Sequence, residues 1–380
     1  MSVVVVGSGP AGLMAAQTIA TAGVAVQVWE QMPSPGRKLL MAGRSGLNLT
    51  HSEALTALLA RYGAAAPIRD AVAAFPPAEV VAWCEGLGQP VFTGSSGRVF
   101  PRAMKASPLL RAWLRRLDAL GVSIHTRRHW SGPADTSGAA ATVLACGGAS
   151  WPRLGSDGGW TAALPDVAIA PFRPANAAVR IAWPNRFLAR FEGTPLKRIA
   201  LCAGDQRIRG EALVTRDGLE GGVVYALTPA LRAGAALHLD LLPDLDDAAL
   251  RHRFGGPRGS ASLSSFLRKA GLPPVGVGLV QVARHEGGAT ASLPALLRAL
   301  PLPVTGVAGL DRAISTAGGL ALAELDGHFM LRRHPGLFAA GEMLDWEAPT
   351  GGYLLQACLA TGRAAGRGVL AWLRGEIACA

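Results

Sequence analysis

The chain begins with three glycines whose spacing suits the binding of a pyrophosphate group. Gly7, Gly9 and Gly12 follow directly after the β-branched run Val3–Val6, in a G-x-G-x-x-G pattern. In such a pattern the first glycine permits a tight turn, the second lets the backbone approach a pyrophosphate, and the third allows close helix–strand packing. The start of the helix that follows offers unpaired amides and a partial positive charge to an anion.

An acidic residue completes this pattern. Glu30 lies 18 residues after Gly12, beyond a predicted helix at Leu13–Ala22 and at the end of a predicted strand at Val24–Trp29. A carboxylate about 20 residues after the glycines accepts from a ribose hydroxyl in dinucleotide-binding folds. Strand, glycines, helix, strand and acid in register therefore predict a dinucleotide site. The motif alone does not separate FAD from NAD.

A second group of glycines and acids lies near the C-terminus. The apolar strand Leu337–Ala340 ends in Gly341 and Glu342, and the loop Pro349–Tyr353 precedes a long predicted helix, Leu354–Leu373. Ligands of open α/β sheets bind at the carboxyl ends of the strands. We expect Glu342 to accept from ribityl hydroxyls or a phosphate-bound water. We expect the start of the last helix to stabilise negative charge on the N1–O2 side of a reduced flavin.

Apolar patterning predicts an α/β fold with an insertion. The buried strand Val143–Cys146 ends at Gly147, a crossing point towards the cofactor. From about residue 171 short alternating stretches indicate antiparallel strands, and leucine-bearing stretches from 246 to 299 indicate a small helical bundle. We predict a discontinuous dinucleotide-binding domain at 1–172 and 308–380, a β-rich insert domain at 173–244 and 300–307, and a small helical subdomain at 245–299.

Composition argues against several other classes of protein. The net charge of +11 is carried mostly by arginines spread along the chain, which does not favour nucleic-acid binding. The absence of a long uncharged apolar run and of secretory-signal features predicts a cytoplasmic protein without a membrane span. The five cysteines are scattered and form no CxxC pair, which argues against a metal site, a disulfide framework and a dithiol relay.

Further motifs give the chain a resemblance to a known family. These motifs, in chain order, are Gly36–His51, Gly97–Pro101, Lys105–Ser107, Ala145–Pro152, Gly341–Asp345 and Gly351–Tyr353. Together they cover most of the chain and resemble the BaiN-like, or aminoacetone-oxidase-like, family of bacterial flavoproteins. The resemblance implies a Rossmann-like FAD-binding domain of the two-dinucleotide-binding-domain flavoprotein type. It also implies a β-barrel-like insert with a small helical subdomain.

The resemblance also assigns cofactor contacts residue by residue. It implies that FAD contacts Ala11, Glu30, Arg37, Lys38, Asn48, Gly341, Glu342 and Asp345, and the pair Pro10–Ala11 favours FAD over NAD. The other expected cofactor contacts are Gly7, Gly9, Pro10, Gly12, Gln31, Gly147, Gly351, Gly352, Tyr353 and Leu354.

The chain departs from the family pattern at two places. Arg44–Leu47 stands where relatives often have Gly-Gly-Arg-Cys, and Leu354 stands where they often have Asn. Both departures fall where the isoalloxazine and its substrate would sit. A relative's substrate therefore does not carry over to this chain.

Hydride transfer at a flavin needs correct positioning and at most one proton donor or acceptor. Tyr353 adjoins the flavin-side glycines and is a candidate donor, with a packing role as the alternative. His51 could titrate usefully, with a surface position as the alternative. The chain has no second complete G-x-G-x-x-G motif. We therefore expect that NAD(P)H, if used, is a transient electron donor, or that the substrate itself reduces the flavin.

The sequence predicts an FAD-dependent oxidoreductase that acts on a small organic substrate by hydride transfer to or from the flavin. Reduction of a carbon–carbon double bond and oxidation of an amine or alcohol both stay open, as does the oligomeric state. One alternative is an FAD-dependent RNA-modifying or RNA-associated protein, which the basic charge would suit. Another alternative is a flavin-binding protein without turnover.

Overall fold

The computed structural model describes residues 2–44, 46–285 and 290–377. Ser45, in a motif that resembles the flavoprotein family, and residues 286–289 of the predicted helical subdomain lie outside these ranges. The chain divides into two compact units. The first unit holds the residues up to Arg173 and those from Ser315 onward, and the second unit is Pro174–Ile314.

The strands of the described residues are β1 (Val3–Val6), β2 (Val26–Glu30), β3 (Thr50–His51), β4 (Val91–Thr93), β5 (Arg98–Pro101), β6 (Ser123–Thr126), β7 (Ala141–Leu144), β8 (Ile169–Ala175), β9 (Val179–Ile181), β10 (Pro195–Ala203), β11 (Gln206–Thr215), β12 (Gly218–Glu220), β13 (Leu237–Asp240), β14 (Leu300–Leu302), β15 (Val304–Val307), β16 (Ser315–Leu320) and β17 (Leu337–Ala339).

The helices of the described residues are α1 (Pro10–Thr21), α2 (Arg37–Ala42), α3 (Leu55–Ala60), α4 (Ala66–Ala74), α5 (Pro77–Gly86), α6 (Ala106–Ala119), α7 (Asn185–Phe191), α8 (Gly222–Ala226), α9 (Thr228–Arg232), α10 (Asp247–Phe254), α11 (Leu263–Lys269), α12 (Pro274–His285), α13 (Leu293–Arg298) and α14 (Tyr353–Leu373). None of these helices combines the length and the hydrophobicity that a membrane span requires.

A parallel sheet organises the first unit. Its strand order is β17-β7-β1-β2-β6, and each neighbouring pair runs parallel. All of Val3–Val6 is buried, as expected for a central strand that is covered on both faces. Helix α1 begins at Pro10, three residues before the predicted start, because proline is pre-organised for the first helical position. The predicted Rossmann-like α/β domain is confirmed.

Two smaller sheets complete the first unit. Strands β3, β5 and β4 form an antiparallel sheet in that order, and β16 pairs with β8. Strands β4 and β5 form a hairpin. In the register of this sheet, Thr50 lies opposite Val99 and His51 lies opposite Arg98. The backbone amide of Leu49 also donates to the Val99 carbonyl, so the segment that leads from Asn48 into β3 is held against β5.

The second unit is built on an antiparallel sheet. Its strand order is β14-β13-β10-β11-β12-β9-β15, and helices α7 to α13 belong to the same unit. Aromatic and aliphatic side chains of this unit, including Trp183, Phe187 and Phe191, form a hydrophobic core of their own. The predicted β-rich insert is confirmed. The further division into an insert domain and a helical subdomain stays a prediction.

Glycines allow α1 and α14 to lie very close together. A Cβ at Gly362 of α14 would overlap with the Ala11 carbonyl oxygen, and one at Gly366 would lie 2.9 Å from Thr18 Cβ. On the opposite side of α1, a Cβ at Gly12 would overlap with the Gly7 carbonyl oxygen. Helix α1 is therefore packed tightly both on its own glycine turn and on the C-terminal helix.

We expect Gly362→Ala to destabilise the first unit, because the added methyl group has no room beside α1. Overpacking of a close contact costs roughly 1–3 kcal/mol, so the midpoint of thermal unfolding, followed by circular dichroism, should fall. Gly86→Ala is the matched control, since a Cβ at the end of α5 would meet only the far end of the Arg116 side chain, at 3.8 Å. Equal midpoints for the two variants would contradict the close packing.

Candidate active site

The carboxyl ends of four neighbouring strands place predicted cofactor residues along one edge of the parallel sheet. Gly341 and Glu342 follow β17, Gly147 follows β7, Gly7 follows β1, and Gln31 follows β2 directly. Since these strands are parallel, their carboxyl ends share one edge, where ligands of such sheets bind. Residues that are far apart in the chain thus stand in one row.

The glycine turn after β1 has the expected division of roles. A Cβ at Gly7, where φ is +100°, would overlap with the Ala145 carbonyl oxygen, and one at Gly12 would overlap with Gly7 itself. Gly9 differs, because its φ of −76° suits any residue and no described atom lies within 4 Å of a Cβ built there. Neither backbone conformation nor packing requires a glycine at this position. Close approach of a ligand to the backbone would require one.

Glu30 is held rigidly beside this turn. Its Oε2 accepts from the backbone amide of Ser8 at 3.1 Å and from the Ser8 hydroxyl, and its Oε1 accepts from the Met32 amide at 2.8 Å. The next residue, Gln31, donates through Nε2 to the Gly155 carbonyl at 2.9 Å. The carboxylate is therefore oriented by the protein, and its lone pairs that stay free can accept from ligand hydroxyls.

A buried ion pair joins α2 to the end of β17. Lys38 Nζ lies 2.5 Å from Glu342 Oε2 and 2.6 Å from Ser150 Oγ. Glu342 is only 8% exposed, and its Oε1 accepts from the Thr316 amide at 3.1 Å. Thr316 Oγ1 accepts in turn from the Ser150 amide at 3.0 Å. This network fixes a cation and a carboxylate at the edge of the sheet.

Two further predicted cofactor contacts, Arg37 and Asp345, also lie in the first unit. Arg37, the first residue of α2, donates to Ser34 Oγ at 3.3 Å, and its Nε is buried with no hydrogen-bond partner among the described residues. Asp345 is partly buried, and its backbone amide donates to Leu320 at 2.8 Å. Whether Arg37 and Asp345 contact the cofactor stays a prediction.

The start of α14 packs directly on the segment that contains Asn48. Gly351 and Gly352 have φ values of +133° and +94°, which favour glycine. A Cβ at Gly352 would lie 2.8 Å from the backbone of Thr50 and 2.9 Å from Asn48 Oδ1. Leu354 is half-buried against the core of the first unit. The predicted flavin-side residues from the two halves of the unit are thus neighbours.

The two candidate catalytic residues lie together, and the polar groups of both side chains already form hydrogen bonds within the protein. The rings of His51 and Tyr353 stack with centroids 5.6 Å apart. His51 Nδ1 accepts from the Glu53 amide at 3.1 Å, so its Nε2 is the donor to the Ser96 carbonyl at 2.9 Å. The Tyr353 hydroxyl donates to Glu53 Oε1 at 2.6 Å. Neither ring is free to exchange a proton without breaking a contact, so their catalytic roles stay predictions.

Two thiols lie near the sheet edge, one half-buried at Cys146 and one buried at Cys358. Burial raises the pKa of Cys146, which follows β7, to about 12, and it does the same for Cys358 in the first turns of α14. Reactive cysteines act as thiolates, which such pKa values disfavour. These cysteines are therefore packing residues.

Sequence reasoning missed several residues that orient this site. They are Ser8, Glu53, Arg61, Tyr62, Ser150 and Thr316. Ser8 could have been found, because it stands between the first two glycines of the motif and close to any group that the turn binds. Thr316 has no local signal, since it meets its partners only through the pairing of distant strands.

The family model described as HI0933-like protein Rossmann domain matches residues 1–368. The chain belongs to the HI0933-like family. This membership confirms the resemblance to the BaiN-like flavoproteins. It also confirms the predicted cofactor, FAD, and the predicted class of enzyme, an FAD-dependent oxidoreductase.

Two relatives of this HI0933-like protein align with nearly its whole length. It is 27% identical over 408 residues to a 3-dehydro-bile acid delta(4,6)-reductase of Clostridium scindens, with 96% of this chain and 97% of the relative covered. It is 25% identical over 382 residues to a ribosomal RNA dihydrouridine synthase of Escherichia coli, with 93% and 94% covered.

A solved structure shares the fold. The 3-ketosteroid delta1-dehydrogenase from Sterolibacterium denitrificans, in complex with 1,4-androstadiene-3,17-dione, aligns with a TM-score of 0.51 at 14% identity. The alignment covers 97% of this chain and 99% of that chain. At this identity the likeness shows the fold alone.

The residues at the sheet edge fit FAD. The open space in front of Gly9 leaves room for a pyrophosphate at the start of α1, where the helix dipole favours an anion. Glu30 would accept hydrogen bonds from ribose hydroxyls at one end of the row, and Glu342 would accept them from ribityl hydroxyls at the other. When bound, FAD supplies hydride chemistry that no side chain can provide. The protein's part is to bind and orient the cofactor and to exclude competing groups.

We expect Gly9→Ala to weaken FAD binding without unfolding the protein, because the new methyl group has space in the protein but occupies the place of the ligand. The dissociation constant, measured by titrating the apoprotein and following flavin fluorescence, should rise roughly tenfold or more, which corresponds to about 1.4 kcal/mol. Gly12→Ala is the contrasting variant, since its methyl group overlaps with protein backbone and should lower stability itself. Unchanged affinity in Gly9→Ala would refute the pyrophosphate position.

We expect the tyrosines to ionise only at unusually high pH. Burial, followed by the hydrogen bond to Glu53, raises the pKa of Tyr353 to about 12, and burial also raises the pKa of Tyr62 and Tyr225. A raised pKa contributes stability below the ordinary value near 10, and this stability is lost as the pH rises through the folded value. Phenolate absorbance of the native protein should therefore stay low near pH 10, where denatured protein is about half ionised. Coincident native and denatured titrations would contradict this.

Proposed function

We propose that this protein uses FAD to reduce a carbon–carbon double bond conjugated to a carbonyl group in a cyclic organic substrate. The observation that carries the proposal is that two nearly full-length relatives are named for this type of bond. One is a delta(4,6)-reductase of a 3-dehydro-bile acid, and the other makes dihydrouridine from a uridine of ribosomal RNA. In both kinds of substrate the double bond lies in conjugation with a ring carbonyl.

Such a reduction adds a hydride to the carbon that is β to the carbonyl and a proton to the α carbon. The residues of this chain serve the reaction by position and charge. The amide end of α14 favours negative charge, and Lys38 and Glu342 hold each other in place at the edge of the sheet. The stacked rings of His51 and Tyr353 form an aromatic surface at the start of α14.

A free small molecule is the substrate class that we favour. Some of the basic side chains are paired with acids: examples are Arg198 and Arg209 with Asp244, and Arg298 with Asp240. Arginines committed in this way contribute less to the binding of phosphates than free ones, because binding to nucleic acid depends on cations that neutralise its backbone. The net charge of +11 is spread along the chain, since most of the arginines are not adjacent to one another.

Ribosomal RNA is the second candidate substrate. The similarity to the Escherichia coli dihydrouridine synthase and the positive net charge both favour it. The bond to be reduced would be of the same conjugated type, so the two candidates differ in how the substrate is recognised. Binding of RNA would weaken steeply with added salt, whereas binding of a small apolar ring would not.

The FAD-loaded protein, reduced anaerobically with dithionite and freed of excess reductant, should transfer hydride to a conjugated enone. We expect a 3-keto-4-ene bile acid to restore the oxidised flavin absorbance and to give a product that is heavier by two hydrogens. The matched control is the same bile acid already saturated at that bond, which should leave the flavin reduced. Unmodified ribosomal RNA forms a third arm, read by mass spectrometry for dihydrouridine. Product in that arm alone would support the RNA candidate, and product in no arm would overturn the proposed reaction.

A further inference from the structure

Three side chains form a hydrogen-bonded cluster at the start of α14. Glu53 follows β3, Arg61 follows α3, and Tyr353 is the first residue of α14. Arg61 Nη2 donates to Glu53 Oε2 at 2.9 Å and Arg61 Nε to Oε1 at 3.3 Å, while the Tyr353 hydroxyl donates to Oε1 at 2.6 Å. Glu53 is therefore the common partner of Arg61 and Tyr353.

Further contacts attach the same turn to its surroundings. The Tyr62 hydroxyl, on a side chain only 3% exposed, donates to the Tyr353 backbone carbonyl at 2.9 Å. The Tyr353 ring stacks on His51, and the backbone of Gly352 lies against Thr50. The turn is thus held by contacts of the Tyr353 hydroxyl, the Tyr353 backbone carbonyl and the Gly352 backbone. It is the same turn that faces Asn48 on the predicted flavin side.

We infer that Glu53 and Arg61 are positioning residues that hold the Tyr353 phenol and thereby fix the turn at Gly351–Gly352 against the flavin. Glycine has more backbone conformational freedom than other residues. At Gly351 and Gly352, which have positive φ, contacts outside the turn must remove this freedom. The Glu53–Arg61 pair supplies those contacts from the opposite half of the first unit. The inference depends on FAD binding and not on the proposed substrate.

The chemistry of the cluster favours an anchoring role for Tyr353 over proton donation. The Arg61 guanidinium holds the pKa of Glu53 below its usual range, so this carboxylate is ionised and accepts a hydrogen bond from the Tyr353 phenol. The raised pKa of Tyr353 keeps that proton on the phenol. A phenol whose proton points to a carboxylate would have to break this bond before it could protonate a substrate.

The exposure of the cluster separates positioning from a general structural role. Arg61 is 52% exposed, and ion pairs with such a partner contribute little to global stability. Removing the pair should therefore leave the folded state intact. The effect should appear in the cofactor instead, because the turn loses its fixed geometry.

The test compares Glu53→Gln, Tyr353→Phe, the double variant and Arg61→Gln with the parent protein. Arg61→Gln keeps the test open should a change at the less exposed Glu53 impair folding. We expect each single variant to raise the dissociation constant for FAD roughly tenfold, as for a hydrogen bond to a charged group. We also expect the absorption spectrum of the bound flavin to shift. The double variant should be no worse than either single one, because both break one cluster.

The matched control is Glu376→Gln. Glu376 binds Arg374 through both carboxylate oxygens, at 2.5 and 2.8 Å, on the surface. This control should leave FAD affinity and spectrum unchanged, and thermal midpoints should stay close to that of the parent in every variant. Unchanged FAD affinity and spectrum in both Glu53→Gln and Arg61→Gln would overturn the inference. So would a large effect of Tyr353→Phe with a silent Glu53→Gln. Neither result would bear on the bond that the enzyme reduces.

Discussion

The close packing of α1 against α14 is the constraint on which the site of this protein depends. Positions without a Cβ on α14, above all Gly362, let that helix reach the backbone of α1. A Cβ at Gly341, after β17, would likewise lie 2.7 Å from Ala11 Cβ. The glycine turn at the start of the chain and the flavin-side turn near its end therefore belong to one rigid arrangement. Larger side chains at these contacts would separate the two halves of the cofactor site.

Within that arrangement contacts from the protein orient the carboxylates. Glu30 is bound by Ser8, Glu342 by Lys38, and Glu53 by Arg61. A partly buried carboxylate without such partners would be costly, because burial penalises an unpaired charge. The same contacts that remove this cost also fix the direction of the remaining lone pairs. Preorganisation of this kind reduces the ordering cost of binding a long cofactor.

The frame of the site does not by itself identify the substrate. The two relatives act on a bile acid derivative and on ribosomal RNA, according to their names, while both match this chain over nearly its whole length. The frame therefore accommodates different substrates, as expected where function resides in a local site. Leu354, one of the two departures from the family pattern, lies in the first turn of α14.

Local patterns in the sequence predicted the dinucleotide-binding unit at the start of the chain, whereas the choice of FAD followed from the resemblance to a family. Val3–Val6, the three glycines and Glu30 form a unit whose spacing already predicts strand, turn, helix and ribose carboxylate, because each step depends on near neighbours. The β-rich insert was also predictable from alternation. The exact start of α1 at Pro10 was missed, since helical periodicity begins later than the helix itself.

The tertiary structure alone decided which polar groups meet. Lys38 and Glu342 are 304 positions apart, and Glu53 and Tyr353 are 300 apart. No spacing rule pairs such residues, because their contact depends on the order of the strands and on the close approach of α1 and α14. The sequence could therefore nominate Tyr353 for proton transfer from its place beside the glycines. Only the folded chain showed that the phenolic proton is directed to a carboxylate.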